Sequence, residues 1–396
     1  MPSGQEGAPA DPYPVYARWR ESGGLRRVDL RSGLYGWLVT RYDDARAALA
    51  DPRLSKDPRV APPDWQEAGR GRPLEDRSGL GTHLLTTDPP EHTRLRRVVS
   101  RYFTPGRLDA LRPRIERRVD ALIDGLQGRA EADLIADFAS PLQLATLCDV
   151  LGVPAADRTD FQRWTTAVVS SDEDGDARPE ALGRLGTYVG ELVAAKRRAP
   201  GDDVISAITA AADDGERLGE AEMMAMIFLL LVAGYETTVG LVGLGVCTLL
   251  RQPDQLRLLR ERPELVDQAV EELLRYDSPV ERATWRFATE PMELGGEHVP
   301  AGRPILVALG AANRDPGRFP EPDRLDITRE DAAGHLSFGH GPHFCLGAQL
   351  ARMTGRAALS GVVRRLPGLA LAVPPERLRW RASLTVRGPR SLPVVV

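Results

Sequence analysis

The chain has 396 residues, 42% of them hydrophobic and 27% charged, with a formal net charge of −4. That balance supplies a core for one large soluble domain or two ordinary ones, and its acidic sign argues against nucleic acid as a general partner. Three cysteines, none at metal-finger spacing, argue against a disulfide framework and fit a reducing cytosol, and Met1–Ala10 has neither the basic start nor the apolar run of a signal peptide or membrane anchor.

Residues 1–10 read as a disordered tail and residues 11–396 as one domain. Asp11–Ser22 predicts a short helix. Leu25–Leu30 and Gly36–Arg41 alternate like two strands around a turn at Arg31-Ser32-Gly33, and Tyr42–Ala50 is helical. Residues 51–88, rich in Pro, Gly, Arg and Asp, predict a long loop, and long loops in compact domains are usually functional. Helical periodicity then dominates over Glu91–Arg101, Arg107–Gly128, Ile135–Leu151, Ala156–Ser170, Pro179–Arg198 and Asp202–Asp213. Glu220–Gln252 is the longest candidate. Its apolar run Met223–Gly234 is too short to cross a bilayer and ends at Glu236-Thr237, so it reads as a buried core helix. Pro253–Arg262, Leu265–Tyr276 and Ala348–Leu359 complete the helices. Strand-like pieces recur at Thr284–Thr289, Met292–Leu294, Ile305–Ala308, Leu369–Val373 and Pro393–Val396. The fold class is mainly α with small β-sheets (α+β), in a single helix-rich domain.

The chemistry concentrates in Phe338-Gly339-His340-Gly341-Pro342-His343-Phe344-Cys345-Leu346-Gly347, where one cysteine stands in a glycine-dense loop ahead of a helix. Glycines allow sharp turns and close backbone approach. Backbone amides and a helix N-terminus lower a thiol pKa, which suits a metal ligand. Cys148 and Cys247 lie in apolar runs and read instead as small buried hydrophobes. The loop is no dinucleotide fingerprint, because no strand–helix–strand unit with a downstream acid surrounds it.

A second motif is Ala233-Gly234-Tyr235-Glu236-Thr237-Thr238, inside the long helix. Glycine in a helix interior costs about 1 kcal/mol against alanine. A Thr237 hydroxyl bonded back to Ala233 or Gly234 loosens the helix there and opens a small groove. An acid beside an alcohol then forms a proton-delivery pair. Glu272-Leu273-Leu274-Arg275 puts Glu272 and Arg275 on one helical face. His92 and Arg96 stand one helical turn apart and can reach one anion.

The cysteine loop fills every fixed position of Phe-Gly-x-Gly-x-His-x-Cys-x-Gly and resembles the haem-binding loop of the cytochrome P450 family; the order of elements resembles that fold over nearly the whole chain. The resemblance implies haem b (iron protoporphyrin IX) with Cys345 as axial thiolate ligand, within a loop whose matched positions include Phe338, Gly339 and Gly347. It implies His92, Arg96, Arg286 and His343 around the haem propionates. It implies that Thr237 would steady bound oxygen while Glu236 relays protons from solvent, beside Ala233 and Gly234. Glu272 and Arg275 would form a buried structural group with an arginine of a Pro-x-Arg segment, here Arg324. The implied activity is hydroxylation or epoxidation of a mid-sized apolar molecule, polyketide or macrolide, terpenoid or steroid-like, in secondary metabolism such as antibiotic biosynthesis. Oxidative C–C coupling, desaturation or nitration on the same iron is the alternative, and a haem-binding sensor or carrier is the alternative of another class.

Two electrons must arrive per turnover, and no flavin or nicotinamide fingerprint is present. They are expected from a ferredoxin and its reductase, with Arg97, Arg101, Arg352 and Arg356 as a basic docking patch. The substrate pocket is expected from residues 56–85, Phe161–Arg178, Leu229–Thr237, Val280–Thr284 and Leu384–Val386. The protein is expected to be a cytoplasmic monomer that binds no membrane.

Overall fold

The computed structural model describes residues 11–29, 34–67, 82–169, 177–213, 218–381 and 383–396. The expected tail at 1–10 and turn at Arg31-Ser32-Gly33 lie outside these, as do 68–81 of the expected loop and 170–176 of the expected pocket. Helices dominate and the strands are short, as the periodicity predicted.

The main deviations come from proline. The helix expected over 107–128 is two helices, Pro105–Asp109 and Arg112–Asp124, the second carrying Pro113 in its first turn. A proline lacks the N–H that an interior position donates and is tolerated only near a helix start. Likewise Ile135–Ala139 is a π-helical turn that runs into the α-helix Ser140–Leu151, with Pro141 at its start. The expected loop at 51–88 contains a short strand, Leu54–Ser55, a 3₁₀ turn at Pro58–Val60 and a helix at Pro63–Glu67. Its Trp65 is fully buried edge-to-face on Trp285, centroids 4.9 Å apart. Strands Glu131–Asp133 and Glu297–Val299 and the short helix Leu309–Ala312 carry too few residues for a visible period.

A five-stranded sheet has the order Leu25–Asp29, Tyr35–Val39, Pro304–Val307, Arg286–Ala288, Leu54–Ser55. Tyr35–Val39 and Pro304–Val307 pair in parallel, Trp37 opposite Ile305; the other pairs are antiparallel. A three-stranded sheet joins Glu131–Asp133, Pro393–Val395 and Ala370–Leu371, and so ties the C-terminus to the helical body.

The helical body is built around one long element, the distal helix Glu220–Leu250. Glu222 accepts from the Gly219 N–H at 2.9 Å and caps its start. By length and composition this helix could cross a membrane, but 78% of its most apolar window is buried inside the protein. It packs against Ser140–Leu151, Val266–Tyr276 and the helix Ala348–Arg365 that follows the cysteine loop. One large apolar cluster spans all four, and burial of apolar surface at roughly 25 cal/mol per Å² makes it the main source of stability. Cys148 and Cys247 belong to that cluster, and burial pushes their thiols up to about 12 and about 11. The sequence reading of both as small hydrophobes holds.

Candidate active site

The cysteine loop is held from both ends. Cys345 N–H donates to the Phe338 carbonyl at 2.9 Å, closing the loop on itself. Gly341 sits at φ +73°, and a Cβ there would stand 3.0 Å from the Ala50 Cα and the Leu49 carbonyl. Both the left-handed backbone and the approach of the Tyr42–Ala50 helix therefore require glycine. Arg352, on the following helix, lays its guanidinium over the Phe338 ring at 4.4 Å.

Behind the loop stands a buried polar web. Glu272 and Arg275, both wholly buried, form a two-point pair at 2.7 and 2.8 Å. Arg275 also donates to the carbonyls of Asn313 and Pro322, at 3.0 and 2.9 Å. Asn313 accepts from Leu336 N–H and donates to Ser337 Oγ at 2.8 Å, which in turn bonds the Leu274 carbonyl. Leu336 and Ser337 lead directly into Phe338. The third charged member is Arg329, 3.3 Å from Glu272 and nearly buried. Arg324, expected in that place, points outward to Glu321 and Asp326, with only its backbone carbonyl facing Arg275. The segment Arg324–Arg329 turns between the two, and spacing alone could not say which arginine faces in.

Cys345 itself is open to water although protein surrounds it, the combination expected on the wall of an internal cleft. Its thiol pKa is raised: loss of hydration outweighs the Gly347 amide and the cations Arg96 and Arg352, which favour the thiolate. The lowered pKa expected from the loop is therefore corrected. Amides and cations alone do not offset the lost hydration of this thiolate.

Beside the loop lies a cluster of nitrogen groups. His92 and His343 have ring centroids 4.2 Å apart, and each has a buried ring nitrogen, Nε2 and Nδ1 respectively, without a partner. Burial lowers the His343 pKa to about 2, and Lys56, His92 and Arg286 push it the same way. Burial also lowers His92, with Arg96 adding to the effect. Arg286 is buried on its strand, reaches the Leu49 carbonyl only at 3.4 Å, and is lowered to about 10 by lost hydration against a partial rescue from Asp88. Arg96 donates to the Pro342 and Phe344 carbonyls, at 3.2 and 2.7 Å. The four sequence-predicted residues thus converge. Lys56, which no motif flagged, is buried beside them and donates to the Thr284 and Trp285 carbonyls.

On the distal helix Thr237 Oγ1 donates to the Ala233 carbonyl at 3.0 Å, one of the two acceptors anticipated. Glu236 is buried and ion-paired with Arg381 from the C-terminal segment. Burial raises its pKa and Arg381 opposes that. Glu236 therefore does not face solvent directly. The segments expected to flank the pocket also meet: Glu281 N–H bonds the Thr385 carbonyl at 2.8 Å, and Arg282 reaches the Leu384 carbonyl at 3.0 Å. Of the expected basic patch, Arg352 is held by Glu271 at 2.6 and 2.8 Å and Arg356 by Asp267 at 3.0 Å. Arg97 and Arg101 stand exposed.

A family model described as Cytochrome P450 matches residues 191–370. The chain is 47% identical to Cytochrome P450 107B1 of Saccharopolyspora erythraea over 388 residues, 97% of this chain and 95% of that protein. It is 46% identical to a vitamin D(3) 25-hydroxylase of Pseudonocardia autotrophica, covering 98% and 94%. The solved structure of the tirandamycin C-bound P450 monooxygenase TamI superposes with a TM-score of 0.90 at 43% identity, covering 97% of each chain.

Proposed function

The chain belongs to the cytochrome P450 family and is a monooxygenase, and from that premise we propose that residues 11–396 form one catalytic domain carrying haem b with Cys345 as the axial thiolate. The residues fit that group. A dianionic ligand would satisfy the orphaned His92 and His343 nitrogens and compensate Arg286, Arg96 and Lys56, whose acidic neighbour in the cluster, among the described residues, is Asp88. A cationic iron would stabilise the thiolate that lost hydration disfavours. That undercompensated cation cluster, next to an accessible cysteine, is the observation that carries the reading.

When bound, a haem iron with a thiolate ligand supplies oxygen activation, in which RH, O2, two electrons and two protons give ROH and water. The chain supplies the rest. Phe338, Gly339 and Gly347 shape the loop that presents the sulfur. His92, Arg96, Arg286 and His343 bind the carboxylates. Thr237, beside Ala233 and Gly234, offers a hydroxyl that donates to the Ala233 carbonyl. Glu236 offers a carboxyl for proton transfer; burial raises its pKa, Arg381 opposes that, and the same pair links it to the C-terminal segment rather than to open water.

The substrate we propose is a mid-sized apolar polyketide or macrolide of secondary metabolism, hydroxylated or epoxidised in the cytoplasm. Relatives named 6-deoxyerythronolide B hydroxylase and Mycinamicin IV hydroxylase/epoxidase support that class. Electrons would come from a ferredoxin and its reductase. With Arg352 and Arg356 already paired, Arg97 and Arg101 are the exposed charges for docking it.

The test is optical. Purified haem-loaded protein is titrated with macrolides, other polyketides, secosteroids and fatty acids, and each binder is then turned over with a ferredoxin pair. The expected result is a saturable shift of the haem band to shorter wavelength with a polyketide, and a product heavier by one oxygen atom. Absence of a haem band after reconstitution would overturn the assignment. Shift and turnover with another class alone would overturn the substrate.

A further inference from the structure

One polar contact on the distal helix belongs to no motif. Gln143, on the Ser140–Leu151 helix, is 2% exposed and donates its Nε2 to the Gly234 carbonyl at 2.7 Å. A flipped amide would set two acceptor oxygens against each other at that distance, so the donor assignment is fixed by chemistry. Leu147, one turn along the same face, stands 2.9 Å from where a Gly234 Cβ would be. The two side chains therefore press on one residue of the distal helix, and glycine is what lets them approach. In a regular helix the Gly234 carbonyl serves the Thr238 N–H alone. Here it is shared. The preceding carbonyl, Ala233, likewise takes an extra donor, Thr237 Oγ1. Two successive carbonyls thus carry added donors within a helix that runs unbroken from Glu220 to Leu250, and added donors of this kind are a cause of local helix loosening. Gln143 Oε1 is buried with no protein donor among the described residues.

We propose that Gln143 is a positioning residue for the monooxygenase reaction: its amide holds the Gly234 carbonyl aside and keeps open the turn that carries Glu236 and Thr237. The proposal rests on the function argued above. Glutamine serves because it donates while carrying no charge. Leucine fills similar space but donates nothing. Glutamate donates only when protonated, and as a carboxylate it repels the carbonyl.

The experiment compares holoprotein of wild type, Gln143→Leu and Gln143→Glu. The first readout needs no turnover: amide hydrogen exchange over residues 235–240. In Gln143→Leu the Thr238 N–H recovers an unshared acceptor, and exchange there slows several-fold. The second readout is hydrogen peroxide released per product formed, which rises several-fold in Gln143→Leu at unchanged haem content. In Gln143→Glu that ratio returns toward wild type as pH falls from about 8 to about 6, the span in which a buried carboxyl takes up its proton. Unchanged exchange, wild-type coupling in Gln143→Leu, or a Gln143→Glu ratio that tracks wild type at every pH each overturns the proposal. So does a loss confined to thermal stability. Failure of the function itself is separate, because it removes product from the wild type while leaving the exchange comparison intact.

Discussion

Two polar regions flank the cysteine loop, and they differ in how far the chain satisfies them. Behind the loop, Glu272, Arg275, Arg329, Asn313 and Ser337 consume one another's hydrogen bonds and those of neighbouring carbonyls. Beside it, His92 and Arg286 are buried and His343 is partly buried, yet they have orphaned nitrogens, one long bond and depressed pKa values. A buried polar group without a partner costs about 1–3 kcal/mol. The first region stabilises the loop by itself; the second is a cost until an anion arrives. Between these two regions, satisfied burial goes with scaffold and unsatisfied burial with the proposed binding site.

The largest expected effect lies where the two regions meet. Cys345→Ser should remove the thiolate signature of the reduced carbonyl complex entirely, read as loss of its red-shifted Soret band, while far-UV circular dichroism of the haem-free chain is unchanged. A retained band would break the assignment of Cys345 and the comparison with it. Next is the scaffold. Glu272→Gln leaves the Arg275 guanidinium buried without its charge partner, an event that costs about 3–5 kcal/mol. Denaturant unfolding should show that loss equally with and without haem. A loss seen only in the loaded protein would move Glu272 to the ligand side.

Arg286→Leu sharpens the contrast by changing sign. In haem-free protein it removes a buried cation with little compensation, so stability should hold or rise by about 1–3 kcal/mol. In loaded protein it should speed haem transfer to an acceptor such as apomyoglobin. If Arg286→Leu destabilised the haem-free chain as Glu272→Gln does, Arg286 would be scaffold and the division would fail.

Legibility in the sequence divides along the same line. Cys345, Thr237, Glu236 and the Glu272–Arg275 pair stand in short local patterns, and two of those patterns carry geometry that the structure contains, the Thr237–Ala233 bond and the Glu272–Arg275 pair. Helical spacing paired His92 with Arg96, but Arg286 and His343 came only through family resemblance, because the contacts that unite the four span three distant segments. Lys56, Gln143, Arg381 and Asn313 had no sequence signal at all. Each acts through contacts made by the tertiary fold, between 23 and 229 residues away in sequence. The Arg324 expectation failed for a related reason: two arginines five residues apart share a turn, and only packing selects Arg329. The elements survive better than their ends, since Pro113 and Pro141 shift boundaries without altering the apolar period that buries each helix.

The smallest effect is one of pH, and the pH at which it sets in separates the regions again. His343, ordinarily near 6.5, is held at about 2 by burial and by Lys56, His92 and Arg286. The unfolded chain therefore binds a proton that the folded, haem-free chain refuses. Stability of the haem-free protein falls as pH drops below about 6.5, by up to about 1.4 kcal/mol per pH unit for one such group. His92, lowered for the same reasons, adds to the slope. Glu271 behaves differently. Burial works to raise it, but bonds from His335 and Arg352 prevail and hold it at about 2. A depressed carboxyl contributes stability above its ordinary pKa, near 4.5, and loses it only between there and about 2. Above about pH 4.5 only the histidine window is open, so melting curves between about pH 7 and about pH 5 report the histidines. Haem-free His343→Phe should show a flatter decline than wild type. Haem-loaded wild type should also be flatter, because bound carboxylates restore the histidines' affinity for protons. Equal slopes in all three proteins would mean that the histidine cluster is not waiting for an anion.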